Sequence, residues 1–248
     1  MTQEREHCRD AVLLAAGRGT RLGRLTEHCP KPMLDVAGRP IIGHILGGLA
    51  EAGVRRVVIV TGYLAEVVEQ GLGDGSRFGL RLTYRRQQTT DGTARALALA
   101  RAELAGRRFF FGWGDILVLP DNYGRVIAMA EHGGEVLAVN EVDDPWAGAA
   151  VYVDGQARVQ RIVEKPLHGS STTRWNNAGF GVLGPSIWPY VDALQPSARG
   201  EYELPQAVAA LVEAGTETVL AVPVQGPWFD IGTPENLAEA RAVFADRG

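Results

Sequence analysis

The chain carries 248 residues, 46% of them hydrophobic, with 25 basic against 29 acidic side chains and a formal charge of -4. That length can bury a substantial core, no apolar run approaches the roughly 18 residues of a membrane span, and the interspersed charges leave no basic footprint for nucleic acid. Cys8 and Cys29 lack metal-ligand spacing and are expected as free thiols; residues 1–10 lack the apolar core of a secretory signal, so the expectation is a soluble cytoplasmic protein.

In chain order, the apolar run 11–15 predicts a strand entering a glycine-rich loop over 17–23, and a loop at a strand's carboxyl end is a binding location. Pro40 opens a helix with Ile41, Ile42, Ile45, Leu46 and Leu49 on one face, closed by Gly53. A buried strand follows at 57–60, a short helix at 64–72, a strand at 80–84, an Ala/Leu-rich helix at 93–104 and a strand at 109–111. This alternation predicts an α/β fold, Rossmann-like, with a mostly parallel sheet and helices on both faces.

The second half is less regular. Residues 121–132 read as a helix, 136–139 as a strand, and 149–153 with 159–163 as a hairpin turning at Asp154-Gly155, a small β insertion on the substrate side. A strand at 179–183, helices at 186–194 and 204–214, a core strand at 220–224 and a helix capped by Thr233-Pro234 and running to about residue 244 complete the pattern. No linker or repeat divides the chain, so one domain over 1–248 is expected. No hexapeptide repeats follow the last helix, and no second activity is expected.

The small residues of the loop Leu14-Ala15-Ala16-Gly17-Arg18-Gly19-Thr20-Arg21-Leu22-Gly23 can bring backbone N–H groups close to an anion, although the same glycines also suit a plain turn. A dinucleotide fingerprint fails on spacing, because its third glycine would fall at Leu22, and the GK[ST] ending of a P-loop is missing. Only two of the 25 basic residues are lysines, Lys31 and Lys165, so arginine already supplies the general surface charge. Pro30 and Pro32 flank Lys31 and restrict the backbone that aims it.

The loop, with Thr26, Pro30-Lys31-Pro32 and Gly38-Arg39-Pro40, resembles the opening signature of the sugar-phosphate nucleotidyltransferase family. Asp91-Gly92-Thr93-Ala94, Trp113-Gly114-Asp115, Val163-Glu164-Lys165-Pro166 and Trp228-Phe229-Asp230-Ile231-Gly232-Thr233 are similar to four later elements of that family, in the same order. Arg24 and Asp35 depart from it at positions where proline is frequent.

The resemblance implies an enzyme that transfers a nucleotidyl group from a nucleoside triphosphate to a sugar 1-phosphate and releases pyrophosphate. It implies Mg²⁺ held by Asp115 and Asp230, and Arg21, Lys31 and Lys165 on phosphates. Leu14, Ala15, Ala16, Gly17, Gly19, Thr20 and Arg21, with Gln87, Gly92 and Thr93, would hold the nucleotide, Gln87 reading the base. Gly148, Glu164, Lys165 and Asn177 would hold the sugar. The double alanine at 15–16 favours UTP or dTTP. The chemistry agrees: a phosphate nucleophile is already ionised near pH 7, so alignment and positive charge are needed rather than a general base.

Taken singly, each aspartate also suits a turn or cap, Arg21 a surface charge, Lys31 a turn, Lys165 an exposed ion pair and Asn177 a turn. A cytidylyltransferase acting on a non-sugar phosphate or phosphonate shares the loop and the acids. A noncatalytic subunit that senses sugar nucleotides is the reading from another class. The resemblance leaves homo-oligomerisation open.

Overall fold

A computed structural model of the chain describes residues 8–245, so residues 1–7 of the N-terminal segment read above for a secretory signal lie outside the described residues. The elements in chain order are β1 (Asp10–Ala15), β2 (Asp35–Val36), β3 (Arg39–Pro40), α1 (Ile41–Glu51), β4 (Arg56–Thr61), α2 (Ala65–Leu72) and β5 (Arg81–Arg86). Next come α3 (Thr93–Leu99), α4 (Arg101–Leu104), β6 (Phe109–Trp113), β7 (Ile116–Val118), α5 (Asp121–Ala130) and β8 (Glu135–Glu141). The chain continues with β9 (Ala149–Val153), β10 (Val159–Glu164), β11 (Trp175–Leu183), α6 (Trp188–Ala193), α7 (Leu204–Ala214), β12 (Val219–Pro223), β13 (Trp228–Asp230) and α8 (Pro234–Ala245).

The main sheet runs β5-β4-β1-β6-β11-β8-β12. Strands β5, β4, β1 and β6 pair in parallel, as do β8 and β12, while β11 lies antiparallel to both β6 and β8. The carboxyl ends of β1, β4, β5 and β6 therefore open on the same side of the sheet.

Side chains alternate between two cores, as the period of a strand buried on both faces requires. Ala11, Leu13 and Ala15 join one core with Ile41, Ile45 and Leu49 of α1, Val126 of α5 and Phe244 of α8. Val12 and Leu14 join the other with Leu97 of α3, Trp188 of α6 and Leu211 of α7. Helices cover both faces, as the strand and helix alternation predicts. Among the described residues no helix is long and apolar enough to cross a membrane.

Strands β9 and β10 form the expected hairpin, in which the Asp154 carboxylate accepts the N–H groups of Gln156 and Arg158 at 2.8 and 2.9 Å. The hairpin joins the sheet where Asn176 of β11 pairs with Ala150.

Three expectations need correction. The helix over 93–104 is two helices, interrupted at the buried Ala100, whose ψ of 0° departs from helical geometry; the run holds no Gly or Pro to signal the break. The strand expected from residue 179 starts at Trp175, because the polar Asn176 is buried there by side-chain hydrogen bonds rather than by apolar character. The loop over 17–23 is partly ordered as a tight 3₁₀ segment over Thr20–Thr26, kinked at Gly23. The short pairings β2–β3 and β7–β13 went unforeseen, since two or three residues carry no readable periodicity.

Candidate active site

At the carboxyl end of β1 the chain turns through Gly19, whose φ is 66°; a Cβ there would lie 3.1 Å from the Lys31 Cβ. The buried Thr26 hydroxyl donates to the carbonyls of Gly19 and Gly23, at 3.1 and 3.2 Å, and ties the loop to itself. Pro30 and Pro32 flank Lys31 in a 3₁₀ turn, and its side chain is only 8% exposed.

The Lys31 ammonium stands 2.6 Å from Asp115 Oδ2 and 3.4 Å from Asp230 Oδ1. These acids are 115 residues apart in sequence and are joined by the backbone. Asp230 pairs with Ile116 across β13 and β7, and the Ile231 N–H donates to the Asp115 carbonyl at 3.2 Å. The Arg21 guanidinium packs over Gly232, where a Cβ would lie 3.0 Å from Nη2.

Three cavities meet at Asp115, which borders each of them. The first is lined by Leu14, Ala15, Gly17, Gly19, Thr20, Arg21 and Lys31. The second is lined by Ala16, Gln87, Gly92, Thr93, Trp113 and Glu201, with Leu14 and Gly17 on the shared wall. The third is lined by Arg21, Gly148, Glu164, Asn177, Trp228 and Asp230. Every residue expected at the site borders one of these cavities except Lys165, which is exposed, with φ of 44° and its N–H donating to the Gly148 carbonyl at 2.8 Å.

In the second cavity the Gln87 side-chain N–H groups donate to Asp91 Oδ1 at 3.0 Å and to the Gly92 carbonyl at 3.1 Å. Both partners only accept, which fixes the amide's orientation and leaves its carbonyl oxygen as the group available to a ligand. Gly92, at φ of 118°, lies so close to Tyr202 that a Cβ would fall 2.4 Å from its carbonyl oxygen. Tyr202 binds Asp91 and Ala94 through its backbone, and the Thr93 hydroxyl accepts the Leu204 N–H at 2.8 Å.

In the third cavity, burial pushes the Glu164 carboxyl up to about 7, with Glu203 adding to the effect and the Lys165 ammonium opposing it. Asn177 Oδ1 accepts the Gly179 N–H at 3.0 Å. Its neighbour Asn176 is buried, accepting the Ala149 N–H at 3.1 Å and donating to Asn140 Oδ1 at 3.0 Å. A Cβ on Gly148 would run into the Asn176 side-chain amide and disturb its hydrogen bond to the Ala149 N–H.

Among the lining residues that the sequence reading left without a role are Trp113, Asn176, Glu201 and Trp228. Trp113 and Trp228 sit inside motifs already singled out, while Glu201 belongs to a charged run, Arg199 to Glu203, directly ahead of the apolar helix α7. A charged run at that position was the available signal.

The nucleotidyl transferase family profile matches residues 10–247. Over 236 residues the chain is 34% identical to the UTP–glucose-1-phosphate uridylyltransferase AglF of Haloferax volcanii, covering 93% of this chain and 94% of that protein. It is 30% identical to a glucose-1-phosphate thymidylyltransferase of Streptomyces antibioticus, over 95% of this chain but 66% of that protein. A crystal structure of a putative glucose-1-phosphate thymidylyltransferase from Bacillus anthracis, in complex with a sucrose, superposes with a TM-score of 0.86 at 28% identity, covering 96% of this chain and 95% of that one. With that profile spanning nearly its whole length, the chain belongs to the nucleotidyl transferase family.

Proposed function

We propose that this chain, read as one unit over 1–248, is a sugar-1-phosphate nucleotidyltransferase that works on UTP or dTTP and releases pyrophosphate. The observation that carries the proposal is the Lys31 ammonium held between Asp115 and Asp230 where three cavities meet. The cavity along the glycine loop takes the triphosphate, the one at Gln87 the base, and the one at Glu164 the sugar phosphate.

Gln87 supports the choice of base. Its free carbonyl oxygen accepts a hydrogen bond, which matches the imide N–H of uracil or thymine and opposes the lone pair that cytosine presents at the same ring position. This argues against the cytidylyl alternative.

The Asp115 and Asp230 pair fits Mg²⁺: both donors are hard oxygens already gathered around one cation, and among the described residues no set of three or more ligating side chains competes. When bound there, the ion supplies neutralisation of charge on the α-phosphate and the leaving pyrophosphate. Arg21 and Lys31 add fixed positive charge to the same end of the site, and Lys165 reaches the acceptor phosphate from the rim. Glu164 and Asn177 orient the sugar, and no side chain needs to take a proton, because the attacking phosphate arrives ionised. Soluble nucleotide and sugar phosphate substrates suit a cytoplasmic enzyme.

The test is pyrophosphate release with Mg²⁺ from UTP, dTTP, CTP, GTP and ATP against a panel of sugar 1-phosphates and phosphocholine. Release is expected with UTP or dTTP and a sugar phosphate, falling on the order of 10²-fold or more in Asp115→Asn and Asp230→Asn. Release from CTP with phosphocholine alone would favour the cytidylyl reading, and binding of a finished sugar nucleotide without turnover would favour the sensing subunit.

A further inference from the structure

Lys31 is proposed to hold phosphate, yet both of its ion-pair partners are carboxylates. Its ammonium stands 2.6 Å from Asp115 Oδ2 and 3.4 Å from Asp230 Oδ1, and among the described residues neither acid has another ion-pair partner. Arg21, which lines the same glycine-loop cavity, differs: it forms no ion pair among the described residues and packs over Gly232.

The exposures of the three side chains fix the arrangement. Lys31 is 8% exposed, against 29% for Asp115 and 43% for Asp230, so the acids open to the cavities and the ammonium meets them from the protein side. Pro30 and Pro32 hold the Lys31 backbone, and its stem lies along Gly19, where a Cβ would fall 3.1 Å from Lys31 Cβ and 3.4 Å from Cδ. The stem therefore lines the glycine-loop cavity, and a flexible four-carbon chain gives the ammonium reach in that direction without backbone movement.

An ammonium in contact with two carboxylates neutralises much of their mutual repulsion, and it repels a second cation brought to the same oxygens. The Lys31 ammonium and a dication are thus alternatives for this pair of acids, unless an anion draws the ammonium away. We propose that Lys31 has a second role, as an internal counter-cation that competes with the metal. It holds Asp115 and Asp230 together until nucleotide binds, then passes to the triphosphate and leaves the acids to the metal. Metal and nucleotide consequently bind with positive coupling, each raising the affinity for the other by the same factor. Arg21, already unpaired, adds charge beside the triphosphate without this exchange. The inference rests on the metal and triphosphate assignments proposed above and adds a regulation of that site.

The probe is Mn²⁺, which takes the same hard oxygen ligands as Mg²⁺, its free concentration read by electron paramagnetic resonance. Its affinity is measured for the native protein, Lys31→Met and Arg21→Gln, each alone and with UTP or dTTP, after correction for the metal bound by nucleotide in solution. Without nucleotide, Lys31→Met is expected to bind Mn²⁺ on the order of tenfold more tightly than the native protein, and to lose a similar factor from the gain that nucleotide brings. Arg21→Gln is expected to change both by a smaller factor. A second measurement leaves the site intact. With only two lysines in the chain, labelling the lysine ε-carbons with ¹³C gives two resonances, assigned through Lys165→Arg. The Lys31 resonance is expected to move on adding Mg²⁺ and nucleotide together by more than the sum of its movements with either alone. Equal Mn²⁺ affinity of the native protein and Lys31→Met, or a Lys31 resonance whose responses merely add, would overturn this inference and leave the proposed function standing. If Asp115→Asn and Asp230→Asn bind Mn²⁺ with nucleotide as well as the native protein does, the metal assignment fails, and this inference with it.

Discussion

Glu164, which borders the third cavity, carries a carboxyl whose charge state changes near neutral pH. Burial and Glu203 hold its carboxyl at about 7, well above an ordinary glutamate, so near neutral pH it is part acid, part carboxylate. In the sugar-binding role proposed for it, the neutral form below about 7 would hold a sugar hydroxyl more weakly than the carboxylate does. The acceptor KM is therefore expected to rise as pH falls through 7, with this inflection absent in Glu164→Gln, whose remaining pH dependence reports the substrate phosphate. Stability carries the opposite sign. An unfolded glutamate ionises from about 4.5, and the folded one holds its proton to about 7, so this group lowers stability as pH rises across that window. Thermal melts are expected to show Glu164→Gln gaining on the native protein from pH 5 to pH 7 and holding a constant lead above pH 8. A constant difference from pH 5 to pH 8 would mean that the folded glutamate titrates normally.

At the scale of elements, the site is assembled by contacts between segments distant in sequence. The segment ahead of α7 closes on the start of α3: Tyr202 exchanges backbone hydrogen bonds with Asp91 and Ala94, and the Arg95 guanidinium stacks 4.1 Å from the Tyr202 ring. Gly92 is the point of closest approach. In Gly92→Ala the new methyl group meets Tyr202 backbone, which cannot swing aside as a side chain could, at a φ that already disfavours any Cβ. The clasp is expected to open, freeing Gln87 from the Gly92 carbonyl and raising the KM for the nucleoside triphosphate by on the order of tenfold, with the acceptor KM less affected. Equal changes in both constants would point to general unfolding. The β7–β13 pairing works in the same manner on the acids, and it explains why the sequence placed Asp115 and Asp230 in one site only through family resemblance. Its three-residue strands have no pattern of their own. Long, two-sided strands such as β1 and β4 were legible because each alternate position is apolar on both faces. The start of β11 was not legible, because Asn176 is buried by its hydrogen bonds to Ala149 and Asn140.

At the scale of the whole molecule, the parallel strands were readable from periodicity, whereas the three-cavity layout required the chain's meeting points. Lys165 shows the limit: a motif located it beside Glu164, yet it is exposed and borders none of the three cavities. The loop after β1, the turn before α3, the β9–β10 hairpin and the strand ahead of α8 are drawn from the full length of the chain to border one connected space. A ligand that spans that space touches segments anchored in both cores, and its binding free energy therefore adds to the free energy of global unfolding. At a hundred times its dissociation constant such a ligand contributes about 2.7 kcal/mol. UTP or dTTP with Mg²⁺ is expected to raise the melting temperature by several degrees, and excess chelator to remove most of the gain. Asp230→Asn is expected to lose the metal-dependent part while keeping the part due to base binding at Gln87, and Gln87→Ala the reverse. If Gln87→Ala leaves the whole shift intact while Asp230→Asn removes it, the base of the bound nucleotide does not occupy the cavity at Gln87.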